Sequence, residues 1–461
     1  MKPSLIPTLI PGLAALLGIV LLTHWLGGVR FPRVEKRVPG ADLLGSLPGM
    51  KPADLKGTFT KLGGVPAQIP GDWPGFRGVN HDNICVDPTP LARSWDSGGP
   101  KALWTAEMGE GYAGAAVRKG CAYVLDYDQA QRMDVIRCLS LADGHDCWRR
   151  AYSVSVKRNH GMSRTVMAVN DKYAVSLGPK CHVVCVDADS GDFRWALDLP
   201  RSYHTKVPPW YAGQCPLIDG DRLVLAPGGE KMMIATDLAT GKVRWETPNP
   251  HGWAMSHSSI IPTTFHGKRM YLYCASGGVV GVDAENGAIL WETDAWKISI
   301  ATVPTPVLLP DGRIFLTGGY NSGSMLLQLT EQGGKFGVKV LWHVKPDVFG
   351  SDQQTPIYYQ SYLYGVIPGG QLVCLDAEGK QVWNSGAARF GLGPYIIAQG
   401  MIYLVNDTGT LTLAEATPAG YHQLAQAKVM KGHDAWGPLA LVNGRLIARD
   451  LTSMVCLDVR K

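Results

Sequence analysis

A 13-residue pattern recurs along this chain and limits its fold more than any other feature. Residues 136–148 read IRCLSLADGHDCW, 183–195 VVCVDADSGDFRW, 233–245 MIATDLATGKVRW and 279–291 VVGVDAENGAILW. Each copy is an apolar run of strand composition, a Gly four residues before a Trp, and a second short run ending on that Trp. Glycine there supplies the positive φ that a tight hairpin turn needs. Residues 372–383 repeat the pattern with one residue fewer, and 326–342 with a longer turn. The Trp residues at 148, 195, 245, 291, 342 and 383 therefore stand 41 to 51 residues apart. A period of this size, with four short strands per unit, marks the blades of a β-propeller.

A second hairpin precedes each of these units, and eight such hairpins can be counted between Ala115 and Arg449. The seventh pairs with 411–429, which keeps the strand-turn-strand form but has neither the Gly-to-Trp spacing nor the Trp. The eighth ends at Lys461 without a fourth strand. A ring must close or leave raw sheet edges, and 101–105, beginning KALW, has the composition of the missing Trp-bearing strand. The expected fold is all-β: an eight-bladed β-propeller with tryptophan-docking repeats over 101–461, its last blade closed by the N-terminal strand at 101–105. The 55 glycines among 461 residues, well above an average usage of roughly 7%, fit a chain of many tight turns. The repeated Trp read as structural, each flat ring packing on a neighbouring blade's turn.

The N-terminal region differs. No Lys, Arg, Asp or Glu lies between Pro3 and Val29, and 5–26 forms 22 apolar-rich residues, about 33 Å as a helix at 1.5 Å per residue. Residues 1–29 are read as an uncleaved signal-anchor, a single N-terminal transmembrane helix, because bulky residues stand where a signal peptidase needs small ones. The first cysteine is Cys85, which excludes a lipid-modified N-terminal cysteine. Residues 30–71 carry six prolines and read as a stalk, linker or surface-wrapping arm, and 72–461 as the propeller domain. The expected location is membrane-anchored and periplasmic. Arg30, Arg33, Lys36 and Arg37 oppose that orientation, since basic flanks favour the cytoplasmic side.

Cys138, Cys185, Cys374 and Cys456 share one repeat position that Ala235 and Gly281 fill elsewhere, so a small residue in a tight space explains them. Cys121 or Cys138 could pair with Cys147 in an oxidising compartment. Cys181, His182 and Cys185 look like metal ligands, but Cys185 is the repeat residue and no second Cys pair follows.

The segments joining one blade's outer strand to the next blade's inner strand emerge together on one face. Candidate contact residues there are Lys157, Arg158, His160, Arg164, His204, Trp210, Trp253, His257, Trp296, His433 and Trp436. Cations beside aromatics on rigidly held loops suit an anionic, planar or glycan-like small ligand, or an envelope protein partner. A net charge of +5 over 461 residues is too weak to imply nucleic acid.

The pattern C-x-D-x-x-x-G-x-x-x-W, carried by Cys185, Asp187, Gly191 and Trp195, resembles the tryptophan-docking repeat of the pyrroloquinoline quinone (PQQ) enzyme-like propellers. DWPGFRG at 72–78 is similar to the opening of their membrane-anchored or exported members. The resemblance implies one of two roles: a quinoprotein alcohol dehydrogenase holding PQQ and Ca²⁺, or a non-catalytic propeller similar to the outer-membrane assembly lipoprotein. The dehydrogenases clamp the quinone beneath a disulfide of adjacent cysteines, and no two cysteines are adjacent here; their Ca²⁺-holding Glu, Asn and Asp are not matched by a local motif. The reading favoured is a membrane-anchored binding or scaffold module of the cell envelope. The alternative is a PQQ-dependent oxidoreductase.

Overall fold

The computed structural model describes residues 15–25 and 52–461, apart from 97 and 299. Two compact units divide the chain, Met1–Gly45 and Ser46–Lys461. In the first, residues 15–25 form a helix that exposes Leu16, Leu17, Ile19, Val20, Leu21, Leu22 and Trp25. Among the described residues no helix is long and apolar enough to cross a membrane. The rest of the expected span at 5–26, and residues 30–51 of the expected stalk, lie outside the described residues.

The second unit consists of eight sheets built on four antiparallel strands each, in sequential order from the inner to the outer edge of the ring in all but the last, and two of them gain a fifth strand from the upstream segment. The first blade shows the pattern: Ala116–Arg118, Cys121–Asp128, Met133–Ser140 and Asp146–Ser153. Its two middle strands are buried almost throughout, while the outer strand alternates. This accounts for the unbroken apolar runs in the sequence, since strands covered on both faces lose the polar alternation. The last blade takes Ala440–Val442, Arg445–Arg449 and Ser453–Asp458 from the C-terminus, and its outer strand, Lys101–Glu107, from upstream of the first blade. The ring is thus closed as expected, with the closing strand two residues longer than the predicted 101–105.

Tryptophan joins the blades. An ideal Cβ added to Gly144 would sit 2.7 Å from the Trp104 ring, and one on Gly241 2.6 Å from the Trp195 ring. Gly191 meets Trp148, Gly287 meets Trp245 and Gly379 meets Trp342 in the same way, each glycine at a φ between +71° and +84°. At three of these joints the indole nitrogen adds a hydrogen bond: Nε1 of Trp104 donates to the Leu141 carbonyl at 3.0 Å, Trp195 to Leu238 at 2.9 Å and Trp342 to Ala377 at 3.1 Å, whereas Nε1 of Trp148 and Trp245 is buried without a partner. Immediately before this position every blade carries a β-bulge, so that Cys138 faces Trp148 while Leu139 faces Asp146, leaving Cys147 unpaired. Leu103, Arg194, Arg244, Leu290, Leu341, Val382 and Leu424 are the extra residues in the other blades. The bulge turns the strand and aims the Trp at the adjacent sheet.

Residues 52–100 run over the ring and then into it. Thr58–Lys61 pairs with the outer strand of the first blade, and Ile84–Cys85 lies parallel to the inner strand Tyr395–Ala398 of the seventh. Between them Trp73 bridges Val117, the Val169 amide donates to the Pro74 carbonyl, and Asn83 donates to the Tyr395 carbonyl. Arg77 is buried there, its guanidinium donating to the carbonyls of His81, Asp82, Thr355 and Pro356, each at 3.0 Å. This segment reaches the inner strands of blades on opposite sides of the ring and blocks the channel.

Gly241→Ala is expected to lower stability by about 2–4 kcal/mol, the left-handed backbone and the displaced Trp195 ring adding together. Gly267→Ala, with φ +76° but nothing within 4 Å of the new Cβ, should cost only about 1–2 kcal/mol. Urea unfolding midpoints of the two variants check this; equal losses would show that the Trp contact contributes nothing.

Candidate functional site

The inter-blade loops surround a cavity of about 570 Å³ at the channel mouth. Phe76 of the arm and Tyr112, His160, Arg164, Trp210, His257, Tyr320, Asp352, Gln354 and Trp436 line it. With the arm filling the channel beneath, Phe76 belongs to the closed end. Beyond it lies a second cavity of about 240 Å³, lined by the arm and the inner strands of the neighbouring blades; Phe76 and Cys215 border both.

Local backbone geometry positions these side chains. Trp210 and Tyr211 are consecutive residues at φ +62° and +72°, and His160 stands at +58°, conformations that non-glycine residues adopt only where surrounding contacts impose them. Tyr211 supplies one such contact, its hydroxyl donating to the Lys157 carbonyl at 2.6 Å and tying two inter-blade loops together. His257 packs against Gly213, where a Cβ would lie 2.6 Å from the imidazole, and its ring lies 6.4 Å from that of Trp210. On another wall the Arg164 guanidinium sits 5.2 Å over the Tyr112 ring, which in turn lies 5.1 Å from Trp436. Trp436 is fixed by its Nε1 donating to Asp407 Oδ1 at 2.8 Å.

Two nitrogens in this lining are buried without a hydrogen-bond partner, Arg164 Nε and His257 Nε2. Arg164 uses Nη2 on the Asn159 carbonyl at 3.0 Å. Burial pulls its pKa down to about 10. Burial, reinforced by the Arg164 charge, pulls His257 down to about 4, so the imidazole is neutral at physiological pH. Among the described residues Asp352 is the only carboxylate of the lining, and burial raises its pKa.

Five of the expected contact residues are brought together in this cavity: His160, Arg164, Trp210, His257 and Trp436. Lys157 and Arg158 are exposed beside it, Arg158 in an ion pair with Glu110 at 2.5 Å. The other four are engaged elsewhere. His204 pairs with Glu230 at 2.7 Å and His433 with Asp434 at 3.4 Å. Trp253 stacks on His251 and packs over Gly277 and Gly278, and Trp296 is buried with its ring 6.1 Å from His343. Sequence reasoning missed Tyr112 and Phe76. Tyr112 lies in the eighth inter-blade segment, which counting the blades would have exposed, while nothing in 72–78 marks Phe76 as facing a cavity.

The donor chemistry of the lining suits an anion beside aromatic faces. It does not suit PQQ held with Ca²⁺, which takes six to eight oxygen ligands including carboxylates, because Asp352 stands alone there. All ten cysteines are free thiols. Cys181 and Cys185 point to different neighbours, Met255 Sδ and the Leu238 carbonyl, so they form no metal site with His182.

Fold and repeat define a PQQ-like propeller. The sequence matches the family described as outer membrane protein assembly factor BamB over residues 132–335 and 337–419, and the chain belongs to that family. No curated protein matches it in sequence. Among solved structures, BamB from Moraxella catarrhalis aligns with a TM-score of 0.54 at 14% identity, covering 78% of this chain and 99% of that one. Quinohemoprotein alcohol dehydrogenase ADHIIG from Pseudomonas putida HK5 aligns at 0.57 and 12% identity, covering 85% and 81%. The computationally designed protein Ika8 aligns at 0.53 and 9% identity, covering 77% and 99%. At these identities the likeness is one of fold.

His257 gives the site a pH signature. Its folded pKa of about 4 lies below the unfolded value of 6.5, so the unfolded chain binds the extra proton between those values. Stability held above pH 6.5 is lost progressively as pH falls towards 4. His257→Asn should flatten that part of the stability curve relative to the parent. Parallel curves in urea titrations at pH 7, 6, 5 and 4 would contradict it.

Proposed function

We propose that this protein is a binding or scaffold module of the cell envelope that performs no chemistry itself. It engages an anionic ligand, or the acidic groups of a protein partner, at the cavity among its inter-blade loops. The observation that carries this reading is a pocket blocked at its inner end by the arm and lined by a buried, incompletely bonded Arg164 and His257 between aromatic rings. Such a lining leaves the buried Arg164 Nε–H in need of an acceptor, and an incoming anion would supply it. Membership of a family described by an assembly factor supports a partner-binding role. Anchoring by the apolar stretch 5–26, with the propeller in the periplasm, belongs to the same proposal.

The second reading is a PQQ-dependent oxidoreductase using this cavity. The arginine-and-aromatic lining favours it, since PQQ is planar and carries three carboxylates; the single carboxylate of the lining opposes it.

Two experiments test these readings. Photo-crosslinking from Trp210 or His160 positions in cells should trap an envelope partner or ligand, and Arg164→Ala should reduce the yield about tenfold, the loss of a charge-assisted bond, without changing the melting temperature. Unchanged capture by Arg164→Ala overturns the binding site. Dye-coupled alcohol oxidation after loading with PQQ and Ca²⁺ would overturn the non-catalytic reading. For topology, a C-terminal alkaline phosphatase fusion should be active and the protein should resist carbonate extraction; an inactive fusion places the propeller in the cytoplasm.

A further inference from the structure

The first blade holds three cysteines, more than any other blade; the second holds two, Cys181 and Cys185. Cys121, Cys138 and Cys147 are all buried, and their Sγ atoms lie within 4.8 Å of one another. Three adjacent strands contribute one each. Tyr123 faces Cys138 and Cys121 faces Ser140, so Cys121 and Cys138 are diagonal neighbours on one side of the sheet. Cys147 is the bulge residue before Trp148. Regular pairing would direct alternate outer-strand residues to opposite faces; the bulge brings Cys147 to the side of the other two.

Three sulfurs bound to one ion at about 2.3 Å stand about 4 Å apart, and these three, all within 4.8 Å of one another, need at most a small adjustment to reach it. No fourth His, Cys, Asp or Glu joins the group among the described residues. Zn²⁺ in structural sites takes four protein ligands, whereas soft thiolate sets select Cu(I), which is content with three sulfurs. The arm covers the site, the Leu62 amide donating to the Cys147 carbonyl at 2.9 Å. We propose that Cys121, Cys138 and Cys147 form a trigonal thiolate site for one Cu(I) ion in the first blade. Binding replaces three S–H bonds by three Cu–S bonds and releases the protons to solvent, with no change in oxidation state.

The full chain, reduced and kept free of oxygen, is titrated with Cu(I) against the chelator bathocuproine disulfonate. One Cu(I) per chain should resist the chelator and show a sulfur-to-copper charge-transfer band in the near ultraviolet. Cys138→Ala, which installs the residue found at the equivalent position 235, should abolish both. Cys147→Ser, at the edge of the cluster, should do the same, and serves if the first variant melts below the parent. Cys185→Ala occupies the same repeat position in the second blade and should leave copper uptake intact. Full uptake by Cys138→Ala and Cys147→Ser overturns the proposal. So does retention of Zn²⁺ when both ions are offered, or recovery of a disulfide joining two of the three from the protein as purified together with no copper uptake after reduction.

Discussion

The contact of a tryptophan ring with the glycine turn of the next blade is the interaction on which the remaining structure depends. A four-stranded sheet cannot bury both faces by itself, so each blade is stable only against its neighbours. Van der Waals packing alone would let the sheets slide. The indole removes that freedom, because its face needs a turn without a Cβ and, at some joints, its Nε1 takes one particular carbonyl, as at Trp195 with Gly241 and Leu238. Burying each ring contributes about 2–3 kcal/mol. Closure uses the same device: Trp104, on the strand borrowed from upstream, docks on Gly144 of the first blade, so the ring's seam is made like the joints at Trp148, Trp195, Trp245 and Trp342.

A ring held this firmly leaves an open channel, and the arm converts it into a pocket. Arg77 is decisive in that conversion. Its guanidinium binds two carbonyls of its own segment and two of the sixth blade's entry at Thr355 and Pro356, fixing the arm inside the ring. Burial without a bonded carboxylate draws its pKa down to about 10, yet four carbonyl acceptors keep the cation satisfied. Phe76, its neighbour, is thereby held at the cavity.

The fold was legible because the repeat writes the docking contact into the sequence, Gly and Trp four residues apart. It fades in the fifth blade, where Val338 stands four residues before Trp342 and the turn glycines Gly333 and Gly334 touch no ring, and in the seventh, whose outer strand has Ala425 in the Trp position. There Trp95, from the arm, lies 6.5 Å from Tyr403, a long-range substitution that no local pattern announces. The site was legible by composition and not by direction. His160 and Trp210 line the cavity while His204 and Trp253 face other partners, although all four sit in similar loops. Backbone conformation does not separate them, since His204 is left-handed at φ +53° like His160 at +58°; the partner each side chain meets in the folded ring does, as with Glu230 for His204.

The bulge before each docking position explains how one scaffold accommodates different local chemistry. Docking requires that the strand be turned there, but places little demand on the extra residue's side chain. In the second and third blades that residue is arginine, and Arg194 and Arg244 each bind the aspartate of the repeat, Asp187 and Asp237, at 2.6 Å. In the fourth it is Leu290, and Asp283 takes Lys268 at 3.0 Å instead. In the first blade Ser140 replaces the aspartate, so an arginine at the bulge would find no carboxylate at that position, and the residue is Cys147 beside Cys121 and Cys138. The slot is therefore structural in its backbone and free in its side chain. That freedom lets one blade gather three thiols without disturbing the Trp148–Gly191 joint beside them.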